Sequence, residues 1–228
     1  RMQVLVAEAS SWAYVADALR LLDAKVFVFG DEVRGSSVSI AGVDATLRHC
    51  MTSAHVNGFL DVAGRRKVNQ AQQEMTSVWQ TRKRAILDTI SASVEIPSET
   101  VQLLLEFLLE QHTEAALSRI EATHRLCQRQ HFDIVLTRID SRDMYRIVPM
   151  VAGQYGIPSV TVQHGIIGTQ DTAYGFVPIV SSKLAVYGPG SRRVLEDVGE
   201  SPDRISEIGS GRFDRYEEKA SDSQGTRS

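Results

Sequence analysis

Cysteine is scarce in this chain: 228 residues hold two, Cys50 and Cys127. Two thiols that far apart make neither a disulfide framework nor a spaced set of metal ligands, which points to a reducing, cytosolic setting. No run approaches the roughly 18 consecutive apolar residues that a membrane-spanning helix needs. A surplus of one charge is missing too: 25 Lys+Arg stand against 28 Asp+Glu, a formal net charge of -3. That balance excludes a global pull toward nucleic acid or an anionic membrane. The chain enters a strand-like run at once, without signal-peptide anatomy. Glycine is lacking where a dinucleotide binder would need it, because Glu8-Ala9-Ser10-Ser11 follows the first apolar run in place of a glycine-rich loop. What is present, 43% hydrophobic and 23% charged residues, suffices for a sizeable core.

The apolar pattern alternates at both ends of the chain and is helical in the middle. Residues 2–7 and 25–29 are short β-branched runs. Between them Trp12, Val15, Ala16, Leu19 and Leu22 fall at helical spacing. This reads as a β-α-β unit with parallel strands. Residues 38–40 and 43–47 are weaker, a hairpin around Gly42 or edge strands. One helix is expected over 66–91. A fresh start follows at Pro97-Ser98-Glu99, with Ser98 as cap and Glu99 beside the helix N-terminus. Val101, Leu104, Leu105, Leu108, His112, Ala115, Ala116, Ile120, Thr123 and Cys127 then continue one stripe. A helix of that span is about 45 Å long and must project past the sheet or bend. Strands follow at 133–139, 158–163, 183–187 and 204–208, with helices at 143–155 and 191–198. The expected fold class is α/β, a Rossmann-like, doubly wound and mostly parallel sheet carrying a long helical segment. Residues 1–216 read as one such domain with helical segment 65–130, and the polar stretch 217–228 as a disordered tail.

Ligands bind beyond the carboxyl ends of strands in open α/β sheets, and His164 stands at such an end. Residues 156–165 read as a turn, a short buried strand and a histidine on a glycine corner. An imidazole titrates near neutrality and takes a proton from a hydroxyl as it turns nucleophile. Gln163 and Gly165 flank it as substrate contacts, and Gly165 permits a tight turn. The simpler reading is a histidine bonded to a loop carbonyl. Asp140-Ser141-Arg142-Asp143 follows the preceding strand on the same rim. Asp140 would orient the imidazole or bind a sugar hydroxyl, and Arg142 would hold an anion. Asp140 or Ser141 serves equally as a helix cap. Ser10 is the corresponding contact after the first strand. Gly209-Ser210-Gly211-Arg212-Phe213-Asp214 passes for a phosphate loop but lacks the Walker lysine and a third glycine. A hinge through Gly209, Gly211 and Asp214 is the simpler reading. Between 65 and 84 six basic residues face one acid, Glu74, a balance of +5. Anionic lipid or a phosphorylated acceptor would dock there, unless it is merely a solvated helix face. His49, His55, His112, His124 and His131 show no ligand spacing, so neither metal nor cofactor is expected.

Over 132–214 the order of these features resembles the N-terminal domain of a GT-B glycosyltransferase of the bacterial capsule, teichoic-acid and surface-polysaccharide group. The resembling pieces are Asp133-Ile134-Val135-Leu136, Gly156-Ile157-Pro158, Val162-Gln163-His164-Gly165, Lys183-Leu184-Ala185-Val186-Tyr187-Gly188, Ser191-Arg192-Arg193-Val194-Leu195 and Ile208-Gly209-Ser210-Gly211-Arg212-Phe213-Asp214. CDP-glycerol-type polymerases and UDP-sugar 2-epimerases share the strand–His/Glu–Gly corner and the terminal glycine motif. The sequence departs from the pattern at Ser210-Gly211, where proline is common. The resemblance implies that His164 is the base or a ligand contact, and Gly165 the corner that brings backbone near substrate. It implies further that residues 209–214 lead to a second Rossmann-like domain supplying most contacts to the nucleotide-sugar or CDP-polyol donor. The few residues after Asp214 are too short for that domain, so the chain reads as an acceptor-side half, inactive alone. Its expected partners are that domain and a glycan or lipid-linked acceptor, with no nucleic acid. Its expected place is the cytoplasm, with peripheral contact at the inner face of the membrane through 65–84. The competing readings are a nucleotide-sugar 2-epimerase, for which Asp140 or Asp143 should matter as much as His164, and a non-catalytic glycan- or lipid-binding module.

Overall fold

Every residue from Val4 to Ala7 is buried, so the first strand is covered on both faces, as a parallel strand flanked by helices must be. In the computed structural model, which describes residues 1–8, 19, 23–31, 51–93, 96–138 and 142–210, this strand is β1 (Gln3–Ala7). With it β2 (Lys25–Gly30), β3 (Met51–His55), β4 (Ile134–Thr137), β5 (Ser159–Val162), β6 (Lys183–Val186) and β7 (Ile205–Glu207) build one sheet, ordered β3-β2-β1-β4-β5-β6-β7. Every pairing in it is parallel. The winding reverses where Val4, Leu5 and Val6 of β1 lie beside Ile134, Val135 and Leu136 of β4. Such a switch point opens a crevice outside the carboxyl ends of the strands.

The described helices are α1 (Val62–Ser93), α2 (Ser98–Gln111), α3 (Thr113–Arg129), α4 (Asp143–Gln154), the single turn α5 (Gln170–Ala173) and α6 (Pro189–Asp197). α3 and α4 cover one sheet face, packing Ala122, Leu126, Tyr145 and Val148 onto Leu5, Phe29 and Val135. A second core lies under β6 and β7, where Leu184, Val186 and Ile205 meet Leu195, Ile167 and Phe176. α1 and α2 carry a small core of their own around Trp79, Leu87 and Val101. Asp61 starts α1: its Oδ1 accepts from Gly64 N at 2.8 Å and its Oδ2 from Arg125 Nη1 at 2.6 Å. The Gly64 N–H, and after it the Arg125 guanidinium, hold the Asp61 carboxyl below its ordinary range. A Cβ on Gly64 would stand 2.9 Å from Arg125 Nε, so glycine is what lets α1 pass close to α3.

The α/β class and parallel winding are as the apolar pattern predicts. Four local expectations change. The stripe from Val101 to Cys127 is two helices, broken at His112, and Leu104 and Leu108 point outward while Val101 faces α1. Pro97 rather than Ser98 caps α2, and Ser98 is its first helical residue. Arg142 caps α4 without a side-chain bond, so neither Asp140 nor Ser141 is the cap. Met51–His55 is a strand that no alternation announces, paired along β2 from Val26 to Gly30. The weak strands at 38–47, most of the helix around Trp12 and the tail 217–228 lie outside the described residues, although Leu19 is helical and buried.

Candidate active site

β5 ends at Val162, and the two residues after it set the geometry of the rim. Gln163 is 1% exposed. Its Nε2 donates to Gly165 O at 2.7 Å and to Ser191 Oγ at 3.1 Å, while its Oε1 accepts from Tyr187 N at 2.7 Å. One buried amide thereby braces the corner after β5 against the corner after β6 and the first turn of α6. His164 comes next, half-buried, its ring 5.6 Å from that of Phe176. Phe176 belongs to the core under β6, so the imidazole leans on a fixed wall. Between the corners opens a hollow of about 440 Å³, walled by Ile167, Gly168, Tyr187, Gly188, Ser191 and Ser210. Gly188 caps α6 and Pro189 takes its first position, where a missing N–H removes no helical bond. The N–H groups of Gly190 and Ser191 lie in that first turn, which has no intrahelical acceptors. Ser210 Oγ is buried with no hydrogen-bond partner among the described residues.

The other half of the rim is tied by charge. Glu8 is buried at the end of β1 with φ at +64°, a left-handed backbone uncommon outside glycine. Its carboxylate accepts from Asp31 N at 2.9 Å. A Cβ on Gly30 would fall 2.3 Å from that carboxyl carbon, so glycine at the end of β2 is what admits the side chain. Asp31 then receives Arg119 Nε at 2.7 Å, and the same guanidinium reaches Asp143 Oδ2 at 2.8 Å. This links the end of β2, α3 and the start of α4. His55, at the end of β3, accepts from Asn57 N through Nδ1 at 3.0 Å.

The expected site residues divide accordingly. His164 and Gly165 stand at the carboxyl end of β5 as predicted from sequence. Gln163 stands there too, but its carboxamide is engaged by protein groups. Gly165 has open space where a Cβ would be, and its φ is outside the left-handed range, so neither packing nor the turn demands glycine there. Gly209 does need it, with φ at +75° just past β7. Arg142 is exposed at the head of α4. Ser10, Asp140, Gly211 and Asp214 lie outside the described residues, although Ser10 and Asp140 follow β1 and β4, the strands that flank the switch point. Tyr187, Ser191 and Ser210 were quoted from sequence only inside longer motifs and given no role of their own. Asp143, the second acid of the epimerase reading, is in an ion pair with Arg119 and borders a different hollow from the one between the corners after β5 and β6. Among the described residues no three His, Cys, Asp or Glu side chains converge as metal ligands, and no helix is long and apolar enough to cross a membrane.

No protein-family model matches the chain, and no curated protein matches it in sequence. Its likeness is to solved structures. UDP-GlcNAc 2-epimerase from Neisseria meningitidis, bound to UDP-GlcNAc, aligns over 99% of this chain at 14% identity and a TM-score of 0.51. The fold is Rossmann-like, of the GT-B type. UDP-GlcNAc 2-epimerase from Methanocaldococcus jannaschii aligns over 92% at 9% identity and a TM-score of 0.50. The chain spans about half the length of both, 50% and 45%.

Proposed function

We propose that this chain forms one lobe of an enzyme acting on a nucleotide-activated sugar, with epimerase-like chemistry as the preferred reading. The observation that carries it is a hollow of about 440 Å³ between the corners that follow β5 and β6, on the rim where doubly wound sheets hold ligands, walled by Ile167, Gly168, Tyr187 and Ser191. The likeness in fold to two UDP-GlcNAc 2-epimerases supports the sugar chemistry. The α6 N-terminus at the hollow favours the negative end of such a ligand. A second nucleotide-binding lobe is the natural partner, and the low cysteine content suits a reducing cytoplasm.

Glycosyl transfer is the second reading, favoured by a specific feature. Inversion at a sugar carbon takes and returns a proton and so calls for an acid/base set, whereas displacement by an acceptor hydroxyl needs one base. Here His164 follows β5, and Asp143, one of the two acids that an epimerase would call on, is paired with Arg119. In that case the acceptor is a glycan or a lipid-linked sugar.

Titration of the chain with UDP-GlcNAc, followed through backbone amide shifts, tests the reading. Shifts at residues 165–168 and 187–191 are expected, and their absence at millimolar ligand refutes it. Incubation of the full-length protein with UDP-sugars then separates the chemistries, because turnover without an acceptor belongs to an epimerase alone. Replacing His164 by Ala should abolish either activity, and an unchanged kcat removes the imidazole from the mechanism.

A further inference from the structure

We propose that the rim carries a second ligand site, at the ends of β2 and β3, and that it takes a sugar ring without phosphate. The site stands on its own residues and does not depend on the nucleotide-sugar reading. A hollow of about 280 Å³ opens there, with Asp31, His55 and Asn57 on the strand side and Glu114, Ser118 and Arg119 on the helix side. Asp31 directly follows β2, and His55 is the last residue of β3. α3 leads into β4, so its first turns lie at the carboxyl rim. Glu114 and Ser118, four positions apart, share one side of that helix, with Arg119 next to them. The volume lies near the lower end of the roughly 300–1,000 Å³ of small-molecule sites, a size that suits one ring.

The polar groups of this hollow offer both halves of a hydrogen bond. Arg119 spends Nε on Asp31 and Nη1 on Asp143, and its Nη2 has no partner among the described residues. Two carboxylates therefore hold that donor in place, and Glu8 in turn holds the Asp31 backbone N–H at 2.9 Å. His55 accepts the Asn57 N–H through Nδ1 at 3.0 Å, so its neutral ring carries the proton on Nε2 and donates from there. The exposed Glu114 carboxylate accepts, and has no partner among the described residues. Asn57 and Ser118 do both. A hydroxyl also does both, so a polyol satisfies this set, whereas an apolar ligand would leave desolvated groups unpaired. Val56, 2% exposed, and Ala115 give the C–H face of a ring an apolar patch. Charge turns phosphate away: Asp31, Glu110 and Glu114 stand against Arg119, a balance of -2. These acids do not make a metal site, because no three His, Cys, Asp or Glu side chains converge among the described residues. The hollow beside α6 has the opposite preference, since a helix N-terminus favours an anion. One rim thus sorts two ligands by charge.

The isotope-labelled chain is titrated with glucose, galactose, mannose and N-acetylglucosamine to about 50 mM, enough to populate a millimolar complex. Backbone amide shifts are expected at 31, 55–57 and 114–119, and none at 165–168 or 187–191. The 6-phosphate of the sugar that shifts most should bind at least about ten-fold more weakly. Glu114→Ala and Asn57→Ala should weaken the best sugar by about ten-fold and about three-fold, with far-UV circular dichroism unchanged because both positions are exposed. Glu110→Lys with Glu114→Lys turns the balance to +2 and should invert the order, so that the phosphorylated sugar binds better. No shift at these residues from any of the four sugars overturns the proposal. So does a 6-phosphate that binds as tightly as its parent, or an affinity indifferent to both alanine variants. Shifts from UDP-GlcNAc at 165–168 and 187–191 bear on the other hollow alone, so the two readings fail separately.

Discussion

Gln163→Leu isolates what the buried amide does for the rim. The replacement nearly conserves volume, so packing changes little, and the effect is that of three lost hydrogen bonds. Tyr187 N–H, Gly165 C=O and Ser191 Oγ are left without their partner. A fully buried group left unsatisfied costs about 1–3 kcal/mol. All three lost partners belong to half-buried residues that water can partly reach, so the total is about 3 kcal/mol rather than the upper sum. For a chain of this length each kcal/mol lowers Tm by about 2–4 °C, giving a fall of about 6–12 °C. Thermal unfolding followed by circular dichroism measures it. Amide hydrogen exchange should accelerate at residues 165–168 and 187–191 and stay unchanged across β1 and β2. A Tm within about 2 °C of wild type, with exchange at both corners unaltered, would mean that the amide does not hold the rim.

Other tests address separate parts of the molecule. Gly30→Ala forces a Cβ into the Glu8 carboxylate and should destabilise by about 2–4 kcal/mol from overpacking and a lost charged hydrogen bond. Combined with Glu8→Ala it should cost clearly less than the two singles together, and strict additivity in urea unfolding would disprove the contact. Gly165→Ala should change stability by less than about 0.5 kcal/mol and act on ligand affinity alone; a folding defect contradicts the open space beside it. Asp61 and Asp133 have carboxyls held below the ordinary 3.8, the first mainly by Gly64 N–H, the second by Gln3 N–H and then His131. Their contribution is therefore present above about pH 4 and lost as pH falls through the lowered folded values, so Asp61→Asn and Asp133→Asn should flatten the acid limb of a Tm–pH profile. Burial pushes the Cys127 thiol up to about 11. In a Cys50→Ser background it should react slowly with a disulfide reagent at pH 8 and fast in urea, and equal rates would place it at the surface.

Much of the sheet was legible without coordinates. β1, β2, β4, β5 and β6 each coincide with a short run rich in apolar or β-branched residues, because a strand in the middle of a sheet covered on both faces is apolar along most of its length whichever neighbour it meets, while β7 at the edge shows only alternation around Ile205. The same reasoning placed His164, since a polar residue directly after such a run comes to the carboxyl rim. Met51–His55 escaped because Thr52 is its one β-branched residue and Ser53, Ala54 and His55 carry no strand signal of their own; pairing with β2 makes it a strand. The break at His112 and the outward turn of Leu104 and Leu108 escaped as well, because a helical stripe shows that a face is apolar but not which partner covers it. Gln163 holds Tyr187 and Ser191 from 24 and 28 residues away. Apolar runs are a property of neighbouring residues and survive in one dimension, whereas the rim of this protein is made of bonds between residues that only the folded chain brings together.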